Sequence, residues 1–136
     1  METNLFGTLN VAQAFAPVLR ANGGGAIVNI LSALAWVNAP ALSGYCISKA
    51  AAWMATNALR NELRAQGTLV VGVHAGFIDT DMAAGFGGPK ISPSSVVEQT
   101  YDAVEAGHDE VLADEGARRA HAALSSSVYL KPVGFK

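Results

Sequence analysis

Apolar residues have two kinds of pattern along the chain: helical spacing in some segments, and short, nearly continuous runs typical of buried strands in others. From Asn4 to about Ala21 they recur three or four residues apart, which predicts an amphipathic helix, and Asn22 to Gly25 then breaks it. The run from Ala26 to Leu31 is nearly all apolar and rich in β-branched residues, as in a strand buried on both faces of a parallel sheet. A long helix follows from Ser43 to about Gln66, and Leu69 to His74 repeats the pattern of a buried strand.

The second half of the chain continues this alternation. Strands that alternate with helices predict βαβ units, a parallel sheet and right-handed crossovers, and hence a single α/β domain over residues 1–136. Ser43 is expected to cap its helix, Pro17 to kink or end the first one, and Gly67 and Gly107 to end two others. The remaining predicted segments are an irregular substrate loop from Phe77 to Pro93, a helix from Ser94 to about Ala106 with Ser92 or Ser94 near its cap, a short strand from His108 to Ala113, a helix from Glu115 to about Ser125, and a loose tail over about 126–136.

Composition narrows the class of protein. The chain has 136 residues, of which 51% are hydrophobic and 15% charged, which is enough for one domain with its own core. A net charge of −2 provides no basic surface for nucleic acid. No apolar run has the length of a membrane span and no secretory leader is visible, so we expect a cytoplasmic protein that does not bind membranes. Cys46, the only cysteine, has no partner for a disulfide or at metal-ligand spacing, so we expect a packed thiol and no metal site.

The candidate chemistry begins with Tyr45 and Lys49, which form a Tyr-x-x-x-Lys motif. Residues four apart lie on one face of a helix, so the phenol and the ammonium can converge. A positive charge at ~5 Å in an effective dielectric of ~20 stabilises a phenolate by roughly 3 kcal/mol, so we expect Lys49 to lower the pKa of Tyr45 from its ordinary value near ~10. The motif alone is weak, because it also arises by chance.

The residues at two strand ends support a functional interpretation of the Tyr-x-x-x-Lys motif. Ser32 and Gly76 follow the first two predicted strands directly, and Tyr45 and Lys49 begin the helix after the first of them. In open parallel sheets, ligands bind outside the carboxyl ends of the strands. We therefore expect these four residues to meet at one edge of the sheet.

At this point the sequence resembles the short-chain dehydrogenase/reductase family. Asn4-Leu5-Phe6-Gly7 is similar to the family's Asn-x-x-Gly helix, Ile27 to Ser32 to its serine strand, Tyr45 to Lys49 to its catalytic pair, and His74 to Met82 to its Pro-Gly-x-Ile-x-Thr segment. The resemblance runs from Asn4 to about Met82 with the order and spacing of the family. It implies the carboxyl-terminal part of a doubly wound, Rossmann-like oxidoreductase.

The family resemblance also implies a reaction and roles for residues. The reaction is hydride transfer between NAD or NADP and a small carbonyl or alcohol substrate. Tyr45 would exchange the proton, Ser32 would hold the substrate oxygen, and Lys49 would bind the nicotinamide ribose and lower the Tyr45 pKa. Asn4 would position a water molecule that relays protons from Lys49. The cofactor-binding residues implied are Tyr45, Lys49, Gly76, Ile78 and Thr80.

The sequence departs from the family pattern in two places. Ala75 stands where the family usually has proline, which loosens that turn. The Gly-rich phosphate loop and the residues that select NAD or NADP are not in these 136 residues, and Gly23 to Gly25 lie between a helix and a strand, the reverse of the required order. Met1 falls where a family member would be in its fourth helix, so we expect a truncated form. Ala26 to Leu31 would then be an apolar sheet edge, and we predict a poorly soluble or oligomeric chain.

Other interpretations stay open. The chain is alternatively a non-catalytic oligomerisation or interaction module, because in the family the helices over 4–21 and 43–66 form much of the subunit interface. The epimerase-like branch shares Tyr-x-x-x-Lys, but little chain remains for its substrate domain. Ser32, Asn4 and Thr80 are also ordinary turn or cap residues, and His74 is expected to be a core or lid contact. The aromatic residues Trp36, Trp53, Phe77 and Phe86 are expected either to pack in the core or to line the pocket of a moderately apolar substrate.

Overall fold

The structure, a computed structural model, describes residues 1–131 and 133–134. A three-stranded parallel sheet has the order β1-β2-β3. Its strands are β1 (Gly25–Ile30), β2 (Thr68–His74) and β3 (Glu110–Leu112), and the helices are α1 (Thr8–Ala21), α2 (Ser43–Leu63), α3 (Pro93–Ala106) and α4 (Glu115–Ala122). The predicted α/β class and parallel sheet are thus confirmed.

Most predicted element ends are close to those observed, but the start of the first helix and the cap of α2 differ. The first helix opens with a π-helical turn, Glu2–Gly7, and α1 then continues through Pro17 instead of ending there. The prediction that Ser43 caps α2 is wrong. A short 3-10 turn, Pro40–Leu42, leads straight into the helix, so Ser43 already has helical dihedral angles and its hydroxyl donates to the Pro40 carbonyl.

The later helix ends follow their sequence signals. Ser92 caps α3, because its hydroxyl accepts from the Ser95 amide, and Gly107 ends this helix with φ at +72°. Gly67, at φ +75°, ends the 3-10 turn that extends α2. Pro132, Phe135 and Lys136, which belong to the predicted loose tail, lie outside the described residues.

Helices pack on both faces of the sheet around β2. Because successive side chains of a strand point to opposite faces, Val70 packs with Ala12 and Leu59 of the α1/α2 layer, while Val71 and Val73 pack with α3. All three valines are fully buried. The core therefore has its centre at β2, the middle strand.

The strand β1 is much less covered. Its residues pair with β2 in the register Val28↔Val71 and Ile30↔Val73, and within the described residues β1 has no second strand neighbour. Val28 is 38% exposed and Ile30 is 52% exposed. The prediction that this strand is buried on both faces is wrong, because α3 covers β2 and β3 but not β1.

Candidate active site

Ser32 lies at the carboxyl end of β1, held in place by the backbone on either side. The Leu31 amide donates to the Val73 carbonyl at 2.7 Å, and the Ala33 amide donates to the Ala75 carbonyl at 2.9 Å. The hydroxyl of Ser32 accepts from the Leu34 amide at 3.1 Å and so starts a 3-10 turn over Ala33–Ala35. The side chain is buried, yet its O–H proton stays available to a second partner.

Tyr45 lies in the first turn of α2, opposite Ser32. Burial raises the pKa of Tyr45 above its ordinary value of 10.0, a hydrogen bond with the Ser32 side chain acts in the lowering direction, and the charge of nearby Cys46 raises it further. The expectation that Lys49 lowers the Tyr45 pKa is wrong: the lowering contribution comes from Ser32, and desolvation of the phenolate is larger. The Lys49 ammonium lies 5.7 Å from the centre of the Tyr45 ring, so the two side chains do converge on one helix face as predicted.

Lys49 links this helix face to the edge strand. Its Nζ donates to the Ile30 carbonyl at 2.8 Å. Burial lowers the pKa of the Lys49 ammonium below its ordinary value of 10.5, since a charged amine loses water contacts there. Ser32, Tyr45 and Lys49 therefore form one cluster at the carboxyl end of β1, hereafter the serine-tyrosine-lysine cluster.

Asn4 reaches the cluster through another residue. Its Nδ2 donates to the Ser48 hydroxyl at 2.9 Å, and that hydroxyl donates to the Tyr45 carbonyl at 2.7 Å. The structure thus ties the π-helical turn to the start of α2 through Ser48, a residue that the sequence did not single out. The water relay between Asn4 and Lys49 stays a prediction.

Gly76 occupies the corresponding position at the end of β2. Its amide donates to Oδ2 of Asp114 at 2.6 Å, and Oδ1 of the same carboxylate accepts from the Ala117 amide at 2.7 Å. A Cβ atom at position 76 would lie 3.0 Å from Oδ2, so any larger residue here would push against the Asp114 carboxylate. Asp114 was missed from the sequence, although it follows the third predicted strand and the strand-end rule would have identified it.

Ile78 and Thr80 lie in the loop that leaves Gly76. Ile78 forms a parallel bridge with Ile91, and the Asp79 amide donates to the Ile91 carbonyl at 2.9 Å, so the base of the loop is closed. Thr80 is exposed, and its hydroxyl donates to the Ile78 carbonyl at 3.3 Å. Stacking of Phe77 on Phe86, with ring centres 4.8 Å apart, further orders this loop.

A second cluster of aromatic and titratable side chains lies directly behind Ser32. His74, the last residue of β2, is fully buried, and the Trp36 ring stacks on it at 3.9 Å. Trp53 meets Trp36 edge to face at 6.1 Å, which answers the open question for these two residues in favour of core packing. Glu110 and His121 complete the group, which we call the His74 cluster.

The described residues contain neither a metal site nor a membrane-spanning helix. Within 1–131 and 133–134, no group of three or more His, Cys, Asp or Glu side chains is placed to hold a metal ion. No helix in the same ranges is long and apolar enough to cross a membrane. The arrangement that remains is a phenol and a hydroxyl side by side next to a partly buried amine, a set of groups that can exchange a proton with an oxygen and hold that oxygen by hydrogen bond.

Comparisons with known proteins agree with this chemistry. The family described as short chain dehydrogenase matches residues 1–88. The probable oxidoreductase EphD of Mycobacterium tuberculosis is 41% identical over 92 residues, which make up 65% of this chain and 16% of that protein. The 3-oxoacyl-[acyl-carrier-protein] reductase FabG of Staphylococcus aureus is 34% identical over 82 residues, 60% of this chain and 33% of that protein.

A solved structure matches nearly the whole chain. A short chain dehydrogenase from Burkholderia cenocepacia, crystallised in complex with NADP, is 41% identical with a TM-score of 0.89. The match covers 94% of this chain and 55% of the Burkholderia chain. The chain therefore spans about half the length of this solved relative and smaller fractions of EphD and FabG.

Proposed function

The chain belongs to the short-chain dehydrogenase family of oxidoreductases, and from this premise we propose that it carries the proton-transfer residues of an NAD- or NADP-dependent enzyme acting on a carbonyl or an alcohol. The observation that supports this most directly is the serine-tyrosine-lysine cluster at the carboxyl end of β1. We further propose that residues 1–136 form a single domain, which corresponds to part of a larger Rossmann-like domain in the relatives.

Reduction of a carbonyl adds a hydride to carbon and a proton to oxygen. The Tyr45 O–H donates that proton, and the Ser32 hydroxyl donates a hydrogen bond to the same oxygen as negative charge develops on it. With its pKa raised by burial, the Tyr45 phenol is protonated near neutral pH, which is the form that donates a proton. In the oxidation of an alcohol, the same two groups act in reverse.

The residues present fit the nicotinamide end of the cofactor. Tyr45 and Lys49 would hold the ribose, and Gly76, Ile78 and Thr80 would contact the neighbouring part of the molecule. Gly76 and Thr80 are exposed beside the cluster, and Lys49 keeps a partly accessible ammonium. A bound nicotinamide supplies or accepts the hydride. The Burkholderia relative that binds NADP supports this assignment at 41% identity.

Cofactor binding and turnover test the proposal separately. Fluorescence titration of the chain with NADH and with NADPH is expected to give saturable binding, which also separates the enzyme from a non-catalytic module. Turnover is measured with small aldehydes and ketones, by the loss of reduced-nicotinamide absorbance. If the chain alone is inactive, we would use a chimera with the amino-terminal part of the Burkholderia relative.

The variant Tyr45→Phe is expected to abolish turnover, because it removes the proton donor, while cofactor binding stays largely intact. Tyr101→Phe is the matched control, since Tyr101 is 67% exposed on α3 and its substitution should not change turnover. A fully active Tyr45→Phe enzyme would refute the role given to Tyr45.

One observation favours an additional role in self-association. The predicted interface helices over 4–21 and 43–66 expose large apolar side chains along one face each, at Val11, Phe15 and Val18 and at Ile47 and Met54. We propose that a second copy of the chain covers these faces. The compartment stays a prediction from the sequence, as does the moderately apolar character of the substrate.

A further inference from the structure

The fully buried His74 has no role in the reaction described so far. Its Nδ1 lies 3.0 Å from the carbonyl oxygen of Ser32. A carbonyl oxygen only accepts hydrogen bonds, so this contact requires the proton of the imidazole on Nδ1. The ring therefore donates to the backbone of a proposed catalytic residue.

The surroundings of His74 hold the ring in one orientation. The Trp36 ring lies parallel to it within 19° at 3.9 Å and blocks rotation out of that plane. The backbone of His74 is fixed in the sheet through its register with Leu112 of β3. The donor at Nδ1 thus comes from a rigid part of the molecule, as a positioning group requires.

Glu110 approaches the ring from the opposite side. Its Oε1 lies 3.2 Å from Nε2 of His74, a close polar contact whose geometry falls short of a hydrogen bond, so Nδ1 makes the directional contact of the ring. Contact with His74 lowers the pKa of Glu110 below its ordinary value of 4.5, burial opposes this, and the charges of His121 on α4 and Arg60 on α2 add to the lowering.

The Ser32 peptide connects this contact to the reaction. The Ser32 hydroxyl accepts from the Leu34 amide two residues on, so the direction of its carbonyl and the position of its hydroxyl are set by the same short turn. The Ser32 side chain in turn acts to lower the pKa of Tyr45. A movement of the Ser32 carbonyl would shift the hydroxyl away from Tyr45.

We propose that His74 is a positioning residue of the active site, which holds the Ser32 carbonyl through Nδ1–H and so places the Ser32 hydroxyl against Tyr45. The inference rests on the proposed function for the catalytic roles of Ser32 and Tyr45. It adds a connection from β3 through His74 to the proton donor that the family pattern does not contain.

Two measurements on the chain itself test the proposal without requiring turnover. The first is NMR of the 15N-labelled imidazoles, which reads the tautomer of His74. We expect the proton on Nδ1; a neutral ring protonated only at Nε2 would overturn the proposal even if no variant folds.

The second measurement is the pH titration of 13C-labelled tyrosine rings, with Tyr101 and Tyr129 as internal references. Ser32→Ala is the positive control and should lower the acid dissociation constant of Tyr45 by about three- to tenfold, the worth of one hydrogen bond. His74→Gln should change it in the same direction, because its amide reaches towards the former Nε2 position and the Ser32 carbonyl then keeps only the Ala35 amide as a donor, at 3.0 Å. In His74→Asn the side-chain amide lies near the former Nδ1 position and can donate to the Ser32 carbonyl. The acid dissociation constant of Tyr45 should therefore equal that of the parent chain.

His121→Gln is the matched control, because it changes a histidine that touches Glu110, at 3.7 Å, but not Ser32. We expect it to leave Tyr45 unaffected. An unchanged Tyr45 titration in His74→Gln, beside a clear change in Ser32→Ala, would overturn the proposal. If Tyr45 responds as expected but Tyr45→Phe retains full turnover, the positioning inference holds and the proposed function fails.

Discussion

Two neighbouring strands of one sheet differ sharply in their surroundings. Val28 of β1 and Val71 of β2 are register partners and face the same side, yet Val28 is 38% exposed and Val71 fully buried. Ile30 and Val73 repeat the contrast one pair further along. The cause is the placement of α3, which packs on β2 and β3 and leaves β1 uncovered on that face.

The difference matters because the site spans both strands. Ser32 follows the less covered strand, and Lys49 donates to its Ile30 carbonyl, whereas His74 ends the well-packed strand and Gly76 follows it. The backbone bonds from Leu31 and Ala33 to the β2 strand and its end fasten Ser32 to the rigid side. The well-covered strand β2 can therefore position Ser32, although Ser32 follows the more exposed strand β1.

The largest expected effect comes from the same substitution at the two register partners. Val71→Ala removes two buried methyl groups and leaves a cavity, and should lower the free energy of unfolding by about 2 kcal/mol or more. Val28→Ala should cost less than about 1 kcal/mol, because its side chain already contacts solvent. Urea denaturation of both variants measures the difference, and equal losses would show that β1 is covered in solution.

The second prediction concerns the exposed apolar face of α1, on the opposite side of the sheet from Val28. The double substitution Val11→Lys and Phe15→Lys on α1 places charges on an exposed apolar face and should weaken self-association by about tenfold, or about 1.4 kcal/mol. Val97→Lys is the control, since Val97 is 51% exposed on α3, outside the proposed interface. Sedimentation velocity over a range of concentrations measures both, and a monomeric parent chain would contradict the proposed interface.

The smallest expected effect is a pH dependence of folding stability, which comes from Glu110 of β3. The folded-state pKa of Glu110 is lowered, so ionisation of this carboxyl stabilises the fold above its ordinary value of 4.5, and this contribution is lost as the pH falls through the folded pKa. The stability difference between the parent chain and Glu110→Gln should therefore shrink on acidification below about 4.5. Chemical denaturation at a series of pH values measures it; a difference that widens towards acid would contradict the lowered pKa.

Much of the fold was predictable from local patterns. The two long apolar runs marked β1 and β2 to within one residue at either end, and Gly67 and Gly107 ended the preceding helical segments as predicted. The predicted cap at Ser43 was wrong, because the 3-10 turn that leads into α2 depends on how the chain crosses from Ser32. The exposure of Val28 was not predictable either, because the sequence of an apolar strand is the same whether or not a helix covers it.

For the site, spacing identified the residues but not their energetics. Tyr45 and Lys49 meet on one helix face because the helical repeat requires it. The direction of the Tyr45 pKa shift differs from the expected one, because burial is a property of the folded chain and outweighs the hydrogen bond from Ser32. The contact of Asn4 with Ser48 was likewise not predictable from spacing, since the π-helical turn sets the direction of Asn4.

The sequence by itself determined the family, the parallel α/β arrangement and the set of residues that can carry proton transfer, because these depend on periodicity and on side-chain chemistry. Only the tertiary structure decided which groups act on one another. Asp114 on Gly76 and His74 on Ser32 join residues about forty positions apart, and no local pattern records such pairs. They arise because parallel strands bring their carboxyl ends to a common edge, where packing then selects the contacts.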